Sequence, residues 1–364
     1  MQKIERYANV DGLRLLCALA VLLFHYGYRG GLEGLYQPLL PWTAISDPMK
    51  YGHIGVHIFF CISGFVIAYS AAGRSAFSFA AARFARIYPT FVLCLTIMFG
   101  VRMLWGGAEL PTSVLQYLAG FAIIPKVFGQ EFMSGVYWSI VVELVFYAWV
   151  FALMLSGLFQ RFSVQIIAVW LGLSAVNELI LGFSALRLIL ITEFAPFFAF
   201  GMLLQRVQVA RLRWPIAGLM AGAVALGVSV LLRETADIRI TYGIAMSDAT
   251  PVALLLAGLA ALVWAVEVPR PVLPTSILAW AGGISYPLYL LHEGLGQVGF
   301  VRLRTEMDGA LLFVGTALVM VLLASLVWWG FDRHVVPWTR RQLERLVVQQ
   351  YCATQHSVLG RISS

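Results

Sequence analysis

The stretch YGHIGVHIFFCISGFVIAYSAAG, residues 51–73, contains no Asp, Glu, Lys or Arg. A membrane-crossing helix needs roughly 20 consecutive, mostly apolar residues. This run is long enough and carries no side chain that lipid would reject. A second such run, GALLFVGTALVMVLLASLVWWGF, fills residues 309–331. Between and around them the 364-residue chain is 60% hydrophobic and 12% charged, with mean hydropathy +0.84. Soluble domains carry about 25% charged residues, so this composition excludes an ordinary soluble enzyme, a disordered chain and a fibrous protein. Lipid leaves backbone polar groups no partner but each other, which makes helices the expected spanning elements.

Ten spans are predicted, at about 11–28, 53–72, 87–105, 136–157, 162–182, 188–205, 214–232, 249–266, 275–300 and 309–331. The fold class is therefore all-α, a polytopic membrane protein with a polar pore. The short apolar stretch 112–125, between Pro111 and Pro125, suits a re-entrant or interfacial piece. With both termini inside, 16 of the 25 basic residues, Lys3, Arg6 and Arg211 among them, fall on the inner side. The positive-inside rule then places both ends in the cytoplasm. That placement explains the net charge of +7 without nucleic acid as a partner. Arg14 interrupts the first apolar run and no small-residue cleavage site follows, so no cleavable signal peptide is expected. Residues 1–331 read as one integral membrane domain. Residues 332–364 read as a short basic cytoplasmic tail with a brief amphipathic helix near 338–348, lying on membrane lipids. Cys17, Cys61 and Cys94 read as buried fillers and Cys352 as a tail thiol.

Ionisable groups inside spans are costly and so are candidates for function. Arg14 and His25 are 11 residues apart, within about 20° of three full helical turns, and share one face about 16 Å apart along the axis. A snorkelling Arg with a hydrogen-bonded interior His is one reading, and a polar pathway is the other. Arg83 and Arg86, three apart, sit at the entry to the third span. They can anchor the inner face or grip a phosphate or diphosphate. Ser139, Glu143 and Tyr147 form a polar stripe on the fourth span. Glu143 can partner an Arg for structure or orient a His. On the ninth span Ser285, Tyr289 and His292 share a side, with His292 near the outer end, as is His57 on the second. Histidines thus gather towards the outer leaflet and arginines towards the inner, which fits an anionic ligand from the cytoplasm and proton chemistry nearer the other side. Glu178 and Glu193 are expected to lie close together and pair with Arg187 or water. Gly218 and Gly222 form a GxxxG read as helix packing. Trp328 and Trp329 read as belt and core. No metalloprotease, serine-hydrolase or nucleotide-binding motif is present, so no metal is expected.

These residues also resemble the acyltransferase-3 family of bacterial integral membrane acyltransferases. Asp11-Gly12-Leu13-Arg14 followed by His25 is similar to that family's Arg-x10-His first span. Phe59-Phe60-Cys61-Ile62-Ser63-Gly64-Phe65 is similar to its second-span motif, and Arg83-x-x-Arg86 with Tyr88-Pro89 to its third. Tyr137-Trp138-Ser139 with Glu143 and Tyr147, then Ser285-Tyr286 with Tyr289 and His292, resemble the later signatures.

The resemblance implies transfer of an acyl group, usually acetyl from acetyl-CoA, to a hydroxyl of an extracytoplasmic glycan or lipid-linked glycan, at a bacterial cytoplasmic (inner) membrane. Some such proteins use succinyl donors or modify macrolides or lipids. Many carry an added C-terminal SGNH domain, so this chain would be the stand-alone form. On that expectation Arg83 and Arg86 hold the acyl-CoA phosphates with Arg14 deeper. His25 acts as base or transient acyl carrier, and Glu143 orients it. Asp11, His57, Ser63, Ser139, Tyr147, Ser285, Tyr286, Tyr289 and His292 support the pore or the acceptor side. The alternative is a transporter or flippase for a glycan or anionic solute, which intramembrane charges would also suit, although no two-fold repeat is found.

Overall fold

The computed structural model describes residues 7–29, 47–210 and 213–362, excepting the side chains of Ala210, Val348 and Gln350 onward. Lys3, Arg6, Arg211 and the Cys352 side chain lie outside the described residues. In chain order the α-helices are α1 (Ala8–Phe24), α2 (Ile54–Ala71), α3 (Ala76–Trp105), α4 (Val114–Gly120), α5 (Trp138–Leu155), α6 (Leu158–Val176), α7 (Ser184–Ile189), α8 (Ala195–Ala210), α9 (Trp214–Tyr242), α10 (Ala249–Glu267), α11 (Thr275–Leu303), α12 (Gly309–Val327) and α13 (Arg333–Ile362). No strand occurs among the described residues. The protein is an all-α polytopic membrane protein.

Eight helical stretches among the described residues are long and apolar enough to cross a membrane: Ala8–Arg29, Asp47–Ala71, Ala76–Trp105, Gly135–Leu155, Leu158–Leu181, Trp214–Tyr242, Ala249–Glu267 and Gly309–Val347. The other two predicted spans, 188–205 and 275–300, are helical but fall short for different reasons. α11 is 29 residues long, yet nearly all its positions from Gly282 to Gly296 are buried. It packs on α1, α3 and α12. A helix surrounded by protein does not need the hydropathy that lipid demands.

The predicted span 188–205 is broken. α7 stops at Ile189 and α8 starts at Ala195. Pro196 has no N–H to bond back to Thr192, so a continuous helix is disfavoured and Pro falls in a new first turn instead. The Trp149 and Trp170 indole N–H groups donate to the carbonyls of Ile189 and Leu190, satisfying acceptors that the break exposes.

Next to this break Glu178 is fully buried and holds both Arg187 (3.0 Å) and Arg233, with Thr192 donating to the same carboxylate. Glu193 stands 3.5 Å from each of the two arginines. The expected pairing of both acids with Arg187 is therefore present, joined by Arg233. Glu178→Ala should leave two guanidiniums without their main acceptor. Removing one partner of a buried pair costs about 3–5 kcal/mol. Because the arginines remain about a third exposed, roughly 2–3 kcal/mol is expected, seen as a lower unfolding midpoint in detergent.

Gly218 and Gly222 do not pack a helix: both are exposed, and a Cβ on either would meet nothing within 4 Å. The close crossing lies elsewhere. A Cβ on Gly64 of α2 would come 2.1 Å from the Phe198 carbonyl oxygen, and one on Gly201 of α8 would come 1.9 Å from that of Cys61. The two glycines let α2 and α8 touch backbone to backbone. The free thiols of Cys17, Cys61 and Cys94 are buried, as expected.

The tail differs from the brief amphipathic helix predicted at 338–348. α12 passes through a π-helical turn, Trp328–Asp332, straight into the 30-residue α13. Asp332, on the tail side of the predicted boundary, is buried and accepts a 2.7 Å hydrogen bond from Thr90 on α3. α13 packs along α3, the helix that carries Arg83 and Arg86. The helix thus runs well past the predicted stretch, and Trp338 and Leu346 on it are exposed.

Candidate active site

Two adjoining cavities occupy the bundle centre and share the side chains of Val56 and Tyr289. The first, about 140 Å³, lies towards the predicted inner end. Arg14 enters it from α1, and Arg83 and Arg86 from α3, one helical turn apart. Against these three guanidiniums stands one carboxylate, Glu143. Ser63 donates to Glu143 Oε1 at 2.8 Å, and Tyr147 donates to the same oxygen. Arg83 Nε is buried without a hydrogen-bond partner. Arg86 lies over the Tyr286 ring, 6.0 Å from its centroid. The lining thus holds three guanidiniums against one carboxylate, with Asp11 3.5 Å from Arg14, and the planar fork of Arg can take a phosphate bidentately.

The second cavity, about 260 Å³, lies towards the predicted outer end and is lined by His25, Arg29, His53, His57 and Glu234 among others. α1 ends at Phe24, and His25–Arg29 form a π-helical turn. Such turns re-aim side chains and recur at functional sites. The His25 ring is buried, and its Nδ1 faces Glu293 Oε1 at 3.7 Å. Glu293 is held in turn: its Oε2 accepts from Ser134 Oγ at 2.6 Å and from the Val136 N–H at 3.0 Å. Gly135 is required here, since a Cβ would come 2.7 Å from Glu293 Oε1. The His292 ring packs edge-on against His25, centroids 5.1 Å apart, with its Nδ1 at the Leu288 and Tyr289 carbonyls. Where the cavities meet, the Ser139 and Tyr289 hydroxyls are hydrogen-bonded at 2.7 Å.

The structure brings together Arg14, Ser63, Arg83, Arg86, Ser139, Glu143, Tyr147, Ser285, Tyr286 and Tyr289 around the first cavity. It places His25 and His57 in the second. Asp11 lines neither; it lies 3.5 Å from Arg14 and packs against Gly282 of α11. His292 supports His25 from behind.

One expected pairing is not found. Glu143 is not the carboxylate beside His25: the α5 stripe points into the first cavity, and Glu293 of α11 takes that place. Glu293 passes the test applied to the other intramembrane acids, but only the packing of α11 against α1 brings it to His25. Glu234 lies beyond the predicted end of the seventh span at 232, whereas α9 continues to Tyr242. His57 Nε2 lies 3.0 Å from Glu234 Oε2, without hydrogen-bond alignment.

A family model described as an acyltransferase domain matches residues 7–329. Among curated proteins, Nodulation protein 10 of Rhizobium leguminosarum bv. viciae is 29% identical over 167 residues, which is 38% of this chain and 42% of that protein. Acyltransferase MdmB of Streptomyces mycarofaciens is 30% identical over 152 residues, 40% of this chain and 38% of that one. Protein 2 in picA locus of Rhizobium radiobacter is 28% identical over 166 residues, 39% of this chain and 78% of its own length. The chain thus spans about two fifths of the first two relatives it matches. No solved structure matches.

Proposed function

The chain belongs to the acyltransferase domain family matched at residues 7–329, and from that premise we propose that it transfers an acyl group from acyl-CoA, with acetyl-CoA the first donor to test, to a carbohydrate hydroxyl across the bacterial cytoplasmic membrane. The observation that carries this reading is the junction of two unlike cavities: three guanidiniums line one, His25 backed by Glu293 lines the other, and Val56 and Tyr289 belong to both. CoA is a polyanion whose reactive thioester ends a long uncharged arm. Its phosphates suit Arg14, Arg83 and Arg86, and its arm suits the mostly apolar path to Tyr289.

The acceptor enters from the outer end. With Nδ1 turned to Glu293, His25 favours the tautomer whose Nε2 carries the lone pair. That nitrogen takes the proton of the acceptor hydroxyl as its oxygen attacks the thioester carbonyl. The negative charge builds on the carbonyl oxygen, and a hydroxyl of the Tyr289–Ser139 pair turns from the Val136 carbonyl to donate to it. Collapse forms the ester and expels the CoA thiolate, which takes the proton back from His25. Glu293 holds the imidazolium formed in between. No acyl-enzyme is needed, because the thioester is already activated.

The test is purified protein in liposomes with labelled acetyl-CoA and a sugar acceptor, following CoA release and labelled ester. Movement of substrate without CoA release would replace this reading with transport. In the same assay Arg86→Ala should raise the KM for acetyl-CoA about tenfold, about 1.4 kcal/mol of lost phosphate binding, with a smaller change in kcat. An unchanged KM would remove Arg86 from the donor site.

A further inference from the structure

The acyl-transfer chemistry uses the His25 side of the outer cavity and leaves the wall built by α2 and α9 without a role. That wall carries four titratable groups, His53, His57, Glu234 and Tyr242. His53, 6% exposed, has Nδ1 at 2.9 Å from the Lys50 carbonyl oxygen. A carbonyl only accepts, so Nδ1 carries the proton and Nε2 keeps its lone pair. His53 Nε2 is buried, makes no hydrogen bond and belongs to a residue lining the cavity. One turn along α2, His57 is paired with Glu234, whose carboxylate remains 38% exposed.

The wall therefore offers hydrogen-bond acceptors: a lone pair and a carboxylate. Hydroxyl groups would satisfy both, whereas an anion would meet a second negative charge in a low-dielectric space. Arg29, the cation of this cavity, belongs to the same π-helical turn as His25. The Phe24 ring touches those of both His25 and His53, centroids 5.3 Å apart in each case, and Trp138 also lines the cavity. Such rings suit the C–H face of a sugar. The outer cavity, with Glu234 set against Arg29, lacks the excess of guanidiniums that lines the inner one.

Resting on the acyl-transfer reading, we propose that His53 and the His57–Glu234 pair form an acceptor subsite that selects an uncharged polyol, such as a neutral pyranoside, over an anionic one. A buried lone pair left without a hydroxyl partner weakens binding of any analogue that cannot supply one. A negatively charged sugar is turned away by Glu234 rather than by shape.

The experiment is saturation-transfer NMR on the full chain in lipid nanodiscs, with methyl β-D-glucopyranoside and the anionic methyl β-D-glucuronide as probes. The neutral glycoside should bind at least about tenfold more tightly, a ratio set by one like-charge contact. Glu234→Gln should reduce that ratio below about threefold, and His53→Phe should weaken the neutral probe by several fold. Equal or tighter glucuronide binding, a ratio unchanged by Glu234→Gln, or no binding of either probe overturns the subsite. The wild-type comparison needs no variant, so a misfolded mutant does not rescue the idea. CoA release from labelled acetyl-CoA in the same nanodiscs separates the two levels. Discrimination without CoA release keeps the subsite and removes acyl transfer. CoA release without discrimination removes the subsite alone.

Discussion

Replacing His25 with alanine is expected to lower acyl-transfer turnover by about 10³-fold while the protein keeps its unfolding midpoint in detergent. A positioned general base contributes roughly 10²–10⁴-fold, and His25 is the imidazole that the structure places in the outer cavity backed by a buried carboxylate, 3.7 Å away. Glu293→Gln should cost less, about 10²-fold in kcat. The amide still fills the pocket made by Ser134 and the Val136 N–H but no longer balances an imidazolium. Because neither residue lines the arginine cavity, the KM for acetyl-CoA should change little in both variants. Glu143→Gln supplies the contrast. Its carboxylate lies among Arg14, Arg83 and Arg86, so its effect should fall on donor KM. Near-normal transfer by His25→Ala would sink the base assignment, and a Glu143→Gln effect confined to kcat would return Glu143 to the role expected from sequence.

The two carboxylates show where sequence reading stops. The stripe Ser139, Glu143 and Tyr147 follows from helical spacing, and so does the shared face of Arg14 and His25. Both arise within a single helix, where 100° per residue fixes the geometry. Which carboxylate meets His25 depends on how α11 lies against α1, and no local spacing encodes that. The π-helical turn at His25 and the break before Pro196 are likewise tertiary results, although the proline marks the second. The span predicted to end at 232 hid Glu234 because Arg233 and Glu234 read as a loop beyond the lipid, yet α9 continues and buries part of that surface. Hydropathy found α2 and α12 directly. It also found α11, read as a helix of the pore, and the structure buries nearly all of it from Gly282 to Gly296. Glycine spacing misled: Gly218 and Gly222 fit a packing motif and face open space, while Gly64 and Gly201, on different helices, share no sequence pattern.

That last pair yields the second large effect. Gly201→Ala should destabilise the protein by about 3 kcal/mol or more, at the upper end of what overpacking costs. The added Cβ would lie 1.9 Å from the Cys61 carbonyl oxygen and 2.6 Å from the Phe65 backbone nitrogen. Backbone atoms cannot rotate aside, so α2 must move from α8 as a unit. α2 carries Val56, which lines both cavities, Ser63, which holds Glu143, and His57, which faces Glu234. A shift of α2 therefore disturbs both chambers, and donor affinity and turnover should fall together, unlike the split expected for Arg86→Ala and His25→Ala. Gly218→Ala is the control. Its Cβ meets nothing within 4 Å on an exposed helical face, and alanine is better than glycine in a helix by about 1 kcal/mol. The unfolding midpoint in detergent should thus fall for Gly201→Ala and hold or rise for Gly218→Ala. Equal midpoints for the two variants would mean that the α2–α8 crossing is looser than its geometry states, and that the junction between the cavities is held from α11 instead.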